Sequence, residues 1–184
     1  MLEISTHVDI EAEAGLVWDI LTDFATYQRW NPLLRSVRGA AHRGGTLVVT
    51  EKRTHNGKFT RSGSSTTVHR TVKHVREPHE LYWRGSWGSQ TIYASERRFR
   101  IEALRAGGVR FHQSERFAGV AVPFFWLSLR RERAPAFGAM NRALKARAER
   151  ASAAIAARTQ PGVGGYVITG GPGHTAAAAR SGSR

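Results

Sequence analysis

The sequence predicts an α+β domain in which a large antiparallel sheet wraps around one long C-terminal helix. Ala136 to Arg158 is the only long stretch with an unbroken helical period of apolar residues. Between Ser36 and Gly119, short alternating segments separated by turn residues indicate successive strands. A helix with one apolar stripe needs a cover, and we expect the sheet to provide it.

The first thirty residues predict one strand and two short helices. Ile4 to Ile10 alternates apolar and polar residues, as a half-buried strand does. Ala12 to Leu21 changes to a helical period, with acidic residues in the early turns, where the helix dipole favours them. A second short helix or turn is expected over Phe24 to Trp30, and Asn31-Pro32 stops it.

Six or seven further segments have the length and spacing of strands joined by hairpins, which favours an antiparallel sheet. Asn56-Gly57 is a strong hairpin signal among them. The predicted strands are Ser36 to Ala41, Thr46 to Thr54, Thr60 to Ser65, Thr66 to Arg76, Leu81 to Trp87, Thr91 to Leu104 and Val109 to Ala118.

The last helix is expected to begin near Val122, with Pro123 in its first turn, and to be kinked by Pro135. Its predicted buried stripe comprises Phe137, Met140, Leu144, Ala148, Ala151 and Ile155. Its predicted far side carries Arg142, Lys145, Glu149 and Arg150.

At 184 residues, the chain suits one domain with a substantial core. We expect that domain to cover residues 1–158, and the Gly- and Ala-rich segment 159–184 to be a disordered tail. The absence of cysteine excludes disulfides and thiolate catalysis. No apolar run approaches the roughly 20 residues that span a bilayer, and the start lacks a signal-peptide pattern, so a cytoplasmic location is expected.

The formal net charge of +14 raises the question of a nucleic-acid or anionic-membrane partner. The basic residues are spread singly along alternating segments, and net charge bears on solubility and steering rather than on fold. We therefore expect no specific nucleic-acid partner, and a basic binding module is the least favoured hypothesis.

The two last strands predict a polar cluster on an otherwise apolar face. If a tight turn pairs Ala103 with Val109, then Phe99 faces Gln113 and Arg97 faces Glu115. A buried charge needs a partner, so this pair is a candidate ligand anchor in a concave site. The alternatives are a structural ion pair, or a register shift that exposes both groups.

Histidine and nucleophile patterns predict neither a metal site nor a catalytic triad. His69 and His74 point to opposite faces of a strand, and His112 has the parity of the outer face. Strand alternation separates Glu115 from His112 and Ser114. We expect no metal and no cofactor.

The run Val17-Trp18-x-x-Leu21-x-Asp23-Phe24-x-x-Tyr27-x-x-Trp30-Asn31-Pro32 resembles the N-terminal signature of the SRPBCC superfamily, whose fold is START-like and also found in birch-pollen allergens. The resemblance is to its polyketide cyclase/dehydrase-like and lipid-transport-like members, and it covers about residues 2 to 157. It continues in Glu115-Arg116-Phe117-x-Gly119 and in Phe137-x-x-Met140-Asn141-x-x-Leu144-Lys145. It implies the helix-grip fold, a curved seven-stranded antiparallel sheet around a long C-terminal helix, with a ligand cavity between them.

Two groups of aromatic residues are expected to have different surroundings. Trp18, Tyr27 and Trp30 are expected to pack between helix and sheet, because such rings bury large areas. Three consecutive aromatic residues, Phe124 to Trp126, cannot all face inward on a helix. One or two of them are expected to close the cavity mouth or to contact a partner or membrane surface.

The leading hypothesis is a domain that binds a small hydrophobic molecule, aromatic, polyketide-like or lipid-like, between the sheet and the last helix. The expected apolar wall comprises Trp83, Tyr93, Phe99, Phe111, Phe137, Met140 and Leu144. The expected polar groups are those of Arg97, Gln113, Glu115 and Asn141. A homodimer is left open.

The alternative is a cyclase- or dehydratase-type enzyme that uses the same cavity. Arg97 would polarise a carbonyl, and Tyr93 or Glu115 would move a proton if burial brought its pKa toward neutrality.

Overall fold

The computed structural model describes residues 2–52, 54–55, 58–59, 65–87 and 89–159. The strands are β1 Leu2–Ile10, β2 Leu34–Arg38, β3 Thr46–Lys52, β4 Thr54–His55, β5 Lys58–Phe59, β6 Ser65–Arg76, β7 Glu80–Trp87, β8 Tyr93–Ala103 and β9 Val109–Ala118. The helices are α1 Ala14–Thr22, a 3₁₀ turn Phe24–Thr26, α2 Tyr27–Trp30 and α3 Val122–Thr159.

Seven strands form one curved antiparallel sheet in the order β1-β9-β8-β7-β6-β3-β2, and α3 packs against it. The predicted fold class, a helix-grip α+β domain with two short helices after the first strand, is confirmed. Strands β4 and β5 form a separate small pair.

The strand bounds differ from the predicted ones where the backbone turns. Strand β2 ends at Arg38 and not at Ala41, because Gly39 adopts a φ of +116° and a side chain there would collide with the carbonyl of Thr46. Strand β8 starts two residues after Thr91, because a turn closes with a hydrogen bond from the Ile92 backbone N–H to the Ser89 carbonyl. Residues 60–64 of one predicted strand, the Asn56-Gly57 turn signal and the tail from residue 160 onward lie outside the described residues.

Helix α3 departs from helical geometry at Phe125 (φ −122°, ψ 15°) and runs through Pro135, where the sequence predicted a kink. Pro135 and Arg131 both lie on the exposed side of the helix. The carbonyl of residue 131, which loses its intrahelical donor to the proline, can therefore bond to water instead.

The buried stripe of α3 is shorter than predicted. Phe137, Met140, Leu144 and Ala148 are buried, but Ile155 is 55% exposed and lies in a run of exposed residues from 153 to 159. The stripe therefore ends near Ala151, which packs against the core.

The C-terminal half of α3 is hydrogen-bonded to β1 and the residues that follow it. Asn141 Nδ2 donates to Thr6 Oγ1 (3.1 Å) and Lys145 Nζ donates to the Asp9 carbonyl (2.7 Å). Glu149 accepts from the backbone N–H of Glu11 (3.0 Å), which holds the pKa of Glu149 below its usual value. Lys145 and Glu149 are therefore half-buried, whereas the sequence placed them on the far side of the helix.

Candidate functional site

The predicted pairing of the last two strands is present, and it buries an ion pair. Ala103 pairs with Val109 and Arg97 with Glu115, in the register that the alternation predicted. Arg97 Nη2 donates to Glu115 Oε2 at 2.8 Å, and the two side chains are 1% and 0% exposed. Residues 18 positions apart in sequence thus form a charged pair on the inner face of the sheet.

Three further charged side chains join this pair and form what we call the charge cluster, composed of Glu51, Arg70, Arg97, Glu115 and Arg133. Arg133 Nη1 donates to Glu51 Oε2 at 2.6 Å and lies 3.8 Å from Glu115 Oε2. Glu51 Oε1 also lies 3.4 Å from Arg70 Nη2 and 3.5 Å from Arg97 Nη2. The cluster therefore joins β3, β6, β8 and β9 to the first half of α3.

Arg70 reaches the cluster by crossing a neighbouring strand. Its Nη1 donates to Ser95 Oγ at 2.6 Å, and Ser95 lies on β8, two strands away from Arg70 in the sheet. Gly85 of β7 pairs with Ser95, and an added Cβ at Gly85 would lie 2.5 Å from Arg70 Nη1. The missing side chain at Gly85 leaves the space through which Arg70 passes.

Both carboxylates of the cluster are ionised at neutral pH. Burial alone raises the pKa of Glu51, but the guanidinium groups of Arg133, Arg97 and Arg70 outweigh it and hold that pKa well below its usual range. Burial likewise opposes ionisation of Glu115, but Arg97 and Arg133 outweigh burial and the neighbouring Glu51, so the pKa of Glu115 is lowered. Three arginines and two ionised glutamates leave the cluster with one net positive charge.

A cavity of about 460 Å³ lies beside the cluster, between the first half of α3 and the ends of β3, β6 and β8. Its apolar wall comprises Leu33, Val68, Ile92, Ala121, Phe125 and Leu129. Its polar wall comprises Glu51, Lys52, Thr66, Arg70, Tyr93, Glu132 and Arg133. Its volume lies in the range of small-molecule pockets, and charged groups are confined to part of its wall.

Of the residues predicted to contact a ligand, Tyr93 lines this cavity. Arg97 and Glu115 lie behind the cavity wall, in contact with Glu51 and Arg133, which do line it.

The remaining predicted contact residues are packed in the core and do not line the cavity. Their rings and side chains interdigitate. The ring centroids of Trp83 and Phe99 are 5.0 Å apart, and those of the stacked rings of Phe99 and Phe111 are 6.0 Å apart. Gln113 Nε2 donates to the Met140 sulfur at 3.7 Å. These packed residues are Trp83, Phe99, Phe111, Gln113, Phe137, Met140, Asn141 and Leu144. A cavity is therefore present, but it lies beside the first half of α3. The space beside the middle of that helix is filled by closely packed side chains.

The sequence interpretation missed Glu51, Arg70 and Arg133, although each has a signal. Glu51 follows Leu47 and Val49 at the buried parity of β3, and Arg70 shares the parity of Val72 on β6. Arg133 lies four residues before Phe137 and so extends the buried stripe of α3 toward its start. In each case, the signal was a charged residue at a position that the sequence pattern assigns to a buried face.

The three consecutive aromatic residues Phe124 to Trp126 have different surroundings. Phe125 lines the cavity and its ring lies 6.4 Å from that of Tyr93, while Trp126 packs edge-on against Phe117. Phe124 points away from the core and is 90% exposed. The prediction that these three residues could not all face inward is confirmed.

Within the described residues, no group of three His, Asp or Glu side chains is arranged to hold a metal ion. No helix in the described ranges is long and apolar enough to cross a membrane.

A long helix gripped by a curved seven-stranded sheet, with a cavity between the two, defines the START-like class of ligand-binding domains. The chain belongs to the family described as polyketide cyclase / dehydrase and lipid transport, whose model matches residues 1–158. The resemblance to the SRPBCC superfamily is thereby confirmed. No curated protein matches the sequence significantly.

Solved structures share the fold at low sequence identity. A START superfamily protein from Mycobacterium smegmatis is 19% identical, with a TM-score of 0.62 over 81% of this chain and 98% of that one. The di-domain ARO/CYC StfQ from the steffimycin biosynthetic pathway is 12% identical, with a TM-score of 0.64 over 82% of this chain and 52% of that one. A protein of unknown function from Staphylococcus aureus, SA2116, is 9% identical, with a TM-score of 0.62 over 83% of this chain and 96% of that one.

Proposed function

We propose that the protein binds a small, largely apolar molecule, aromatic, polyketide-like or lipid-like, in the cavity between α3 and the sheet. The observation that carries the proposal is the cavity of about 460 Å³, which is lined both by apolar side chains and by three members of the charge cluster, Glu51, Arg70 and Arg133. An apolar body would be sheltered by residues such as Val68 and Leu129, and a polar group would be oriented by Tyr93 and Arg133. Family membership supports a role of this kind.

A fluorescence titration tests this proposal. The neutral aromatic dye N-phenyl-1-naphthylamine is expected to bind with increased emission, and Leu129→Trp should weaken the binding because the larger ring takes up part of the cavity. The matched control is Ile155→Trp, which places the same ring at an exposed position of the same helix. Equal dye binding by both variants would contradict the proposal, provided that both keep the wild-type circular dichroism spectrum.

Catalysis in the same cavity is the second candidate, favoured by the presence of both Tyr93 and Arg133 among the residues that line it. Burial raises the pKa of Tyr93 and the nearby Glu115 raises it further, so the phenol stays protonated and can donate a proton or hydrogen bond. Glu115 is less suited to proton transfer than Tyr93, because it is ionised and does not line the cavity.

A model β-hydroxyketone tests this candidate, because its loss of water gives an enone that absorbs in the ultraviolet. Tyr93→Phe should then lower the dehydration rate by about 100-fold or more, as removal of a general acid does. Binding of the neutral dye should stay as in the wild type. An unchanged rate in Tyr93→Phe would remove the phenol from the reaction.

A further inference from the structure

From the charges around the cavity, we infer that its natural occupant is an amphipathic anion, an apolar body carrying one carboxylate or a similar acidic group that binds Arg133. This inference rests on the proposed function and specifies the chemical class of the ligand. It concerns the polar wall of the cavity, and it is independent of whether the ligand is carried or converted.

The buried groups beside the cavity carry an excess of positive charge. Among the residues that the structure describes, Arg70, Arg97 and Arg133 face two carboxylates, those of Glu51 and Glu115. The two remaining charged residues of the cavity wall, Lys52 and Glu132, cancel each other. A positive charge removed from water is costly unless an anion compensates it, so this site favours a negatively charged group.

One arginine of the charge cluster is placed to bind the anion. Arg133 lines the cavity and its side chain is 20% exposed, the largest exposure in the charge cluster. Within the described part of the chain, Arg133 donates a hydrogen bond only through Nη1, to Glu51. Its Nη2 and Nε remain as donors for a carboxylate.

The other two arginines are less suited to contact the occupant. The Arg97 guanidinium lies 4.9 Å above the Phe137 ring and behind the cavity wall, and its side chain is fully buried. Arg70 is held by Ser95 and Glu51 on either side. They keep the carboxylates of Glu51 and Glu115 ionised and in place, and Arg133 faces the cavity.

A pair of dyes that differ only in a sulfonate group tests the inference. 8-Anilinonaphthalene-1-sulfonate carries the anion, and N-phenyl-1-naphthylamine has the same ring system without it. At moderate salt, the wild type is expected to bind the sulfonate about tenfold or more tightly than the neutral dye, the ratio expected for a charge-assisted hydrogen bond.

Arg133→Gln should reduce this ratio to about one by weakening the binding of the sulfonate, and Arg133→Lys should retain most of the preference. The matched control is Arg142→Gln, which removes the same charge from an exposed position of α3 and should keep the wild-type ratio. Thermal unfolding of each variant verifies that it is folded.

The outcomes separate the two proposals. If neither dye binds the wild type, the proposed function itself fails. If both dyes bind equally well, the cavity binds apolar molecules and the inference about an anion is overturned. If Arg142→Gln lowers the ratio as much as Arg133→Gln, the preference comes from the overall positive charge of the protein, and the inference is again overturned.

Discussion

At Gly85, strand β7 has no side chain on the inner face of the sheet, and the Arg70 side chain occupies that space. A methyl group there would lie 2.5 Å from Arg70 Nη1 and 2.6 Å from its Cδ, closer than van der Waals contact allows. Arg70 would have to move, and its hydrogen bond to Ser95 would be lost. One glycine thus determines whether the charge cluster can form as a whole.

We therefore expect Gly85→Ala to lower the free energy of unfolding by about 1–3 kcal/mol, the usual cost of leaving a buried polar group without its partner. Urea denaturation measures this change. Gly15→Ala is the control, because a Cβ at that helical position meets no atom within 4 Å. It should leave stability equal or higher by up to about 1 kcal/mol. Equal stability of both variants would show that Arg70 repositions without cost.

The net positive charge of the cluster predicts that its acids matter more for stability than its bases. Glu115→Gln leaves three arginines with one glutamate, and we expect it to cost about 3–5 kcal/mol of unfolding free energy. Arg97→Gln leaves two arginines and two glutamates and should cost less, although both side chains are buried. Chemical denaturation measures the free energy of unfolding of both variants. A larger loss of this free energy for Arg97→Gln than for Glu115→Gln would refute the charge argument.

At the level of elements, α3 has two halves with different contacts. The half from Ala136 onward packs into the core and bonds to β1, and the half before it lines the cavity through Leu129 and Arg133. The core therefore depends mainly on the second half, and the proposed ligand binding depends on the first.

Phe137→Ala should accordingly lower the free energy of unfolding by about 3–5 kcal/mol, since it leaves a void among packed rings. Ile155→Ala on the same helix should change it by less than about 0.5 kcal/mol, because that side chain is mostly exposed. Thermal or urea unfolding distinguishes them. Similar losses in both variants would mean that the end of the helix has contacts beyond those described.

Much of the fold was predictable from sequence because the relevant signals are local. Alternation along each strand and the short turn between β8 and β9 were enough to pair Arg97 with Glu115. The charge cluster could not be predicted in this way, because the sequence of one strand does not indicate which distant strand lies beside it in the sheet. Arg70 approaches Ser95 only through the space at Gly85, and that approach depends on the sheet order and on one missing side chain.

The position of the cavity could not be predicted from the sequence either. Apolar residues predicted as its wall, such as Phe99 and Met140, have the same pattern whether they line a void or fill it. The difference depends on how side chains from separate elements fit together in volume, and periodicity carries no information about that. The continuation of α3 through Pro135 likewise depends on which side of the helix faces water, because Arg131 and Pro135 lie on its exposed side.

For the whole molecule, the charge cluster predicts a loss of stability in acid. The folded state holds the pKa values of Glu51 and Glu115 below their ordinary value of 4.5, so the unfolded chain binds more protons than the folded one in acid. The stabilisation by these groups is present above pH of about 4.5 and is lost as the pH falls toward their folded-state pKa values.

Unfolding free energies measured from pH 6 to pH 3 test this prediction. Glu51→Gln should reduce the steepness of the loss by up to about 1.4 kcal/mol per pH unit, the contribution of one titrating group. Asp19→Asn is the control, because Asp19 is exposed and forms no ion pair within the described residues. A Glu51→Gln profile parallel to that of the wild type would contradict the prediction.

Most of the buried core does not line the cavity, and this affects how substitutions divide between stability and the proposed binding. Substitutions at cavity positions such as Val68 or Leu129 would change the shape of the proposed site, and the rings of Phe99 and Phe137 would keep their packing partners. The specificity of the proposed site can therefore be redesigned without rebuilding the part of the molecule on which folding depends most.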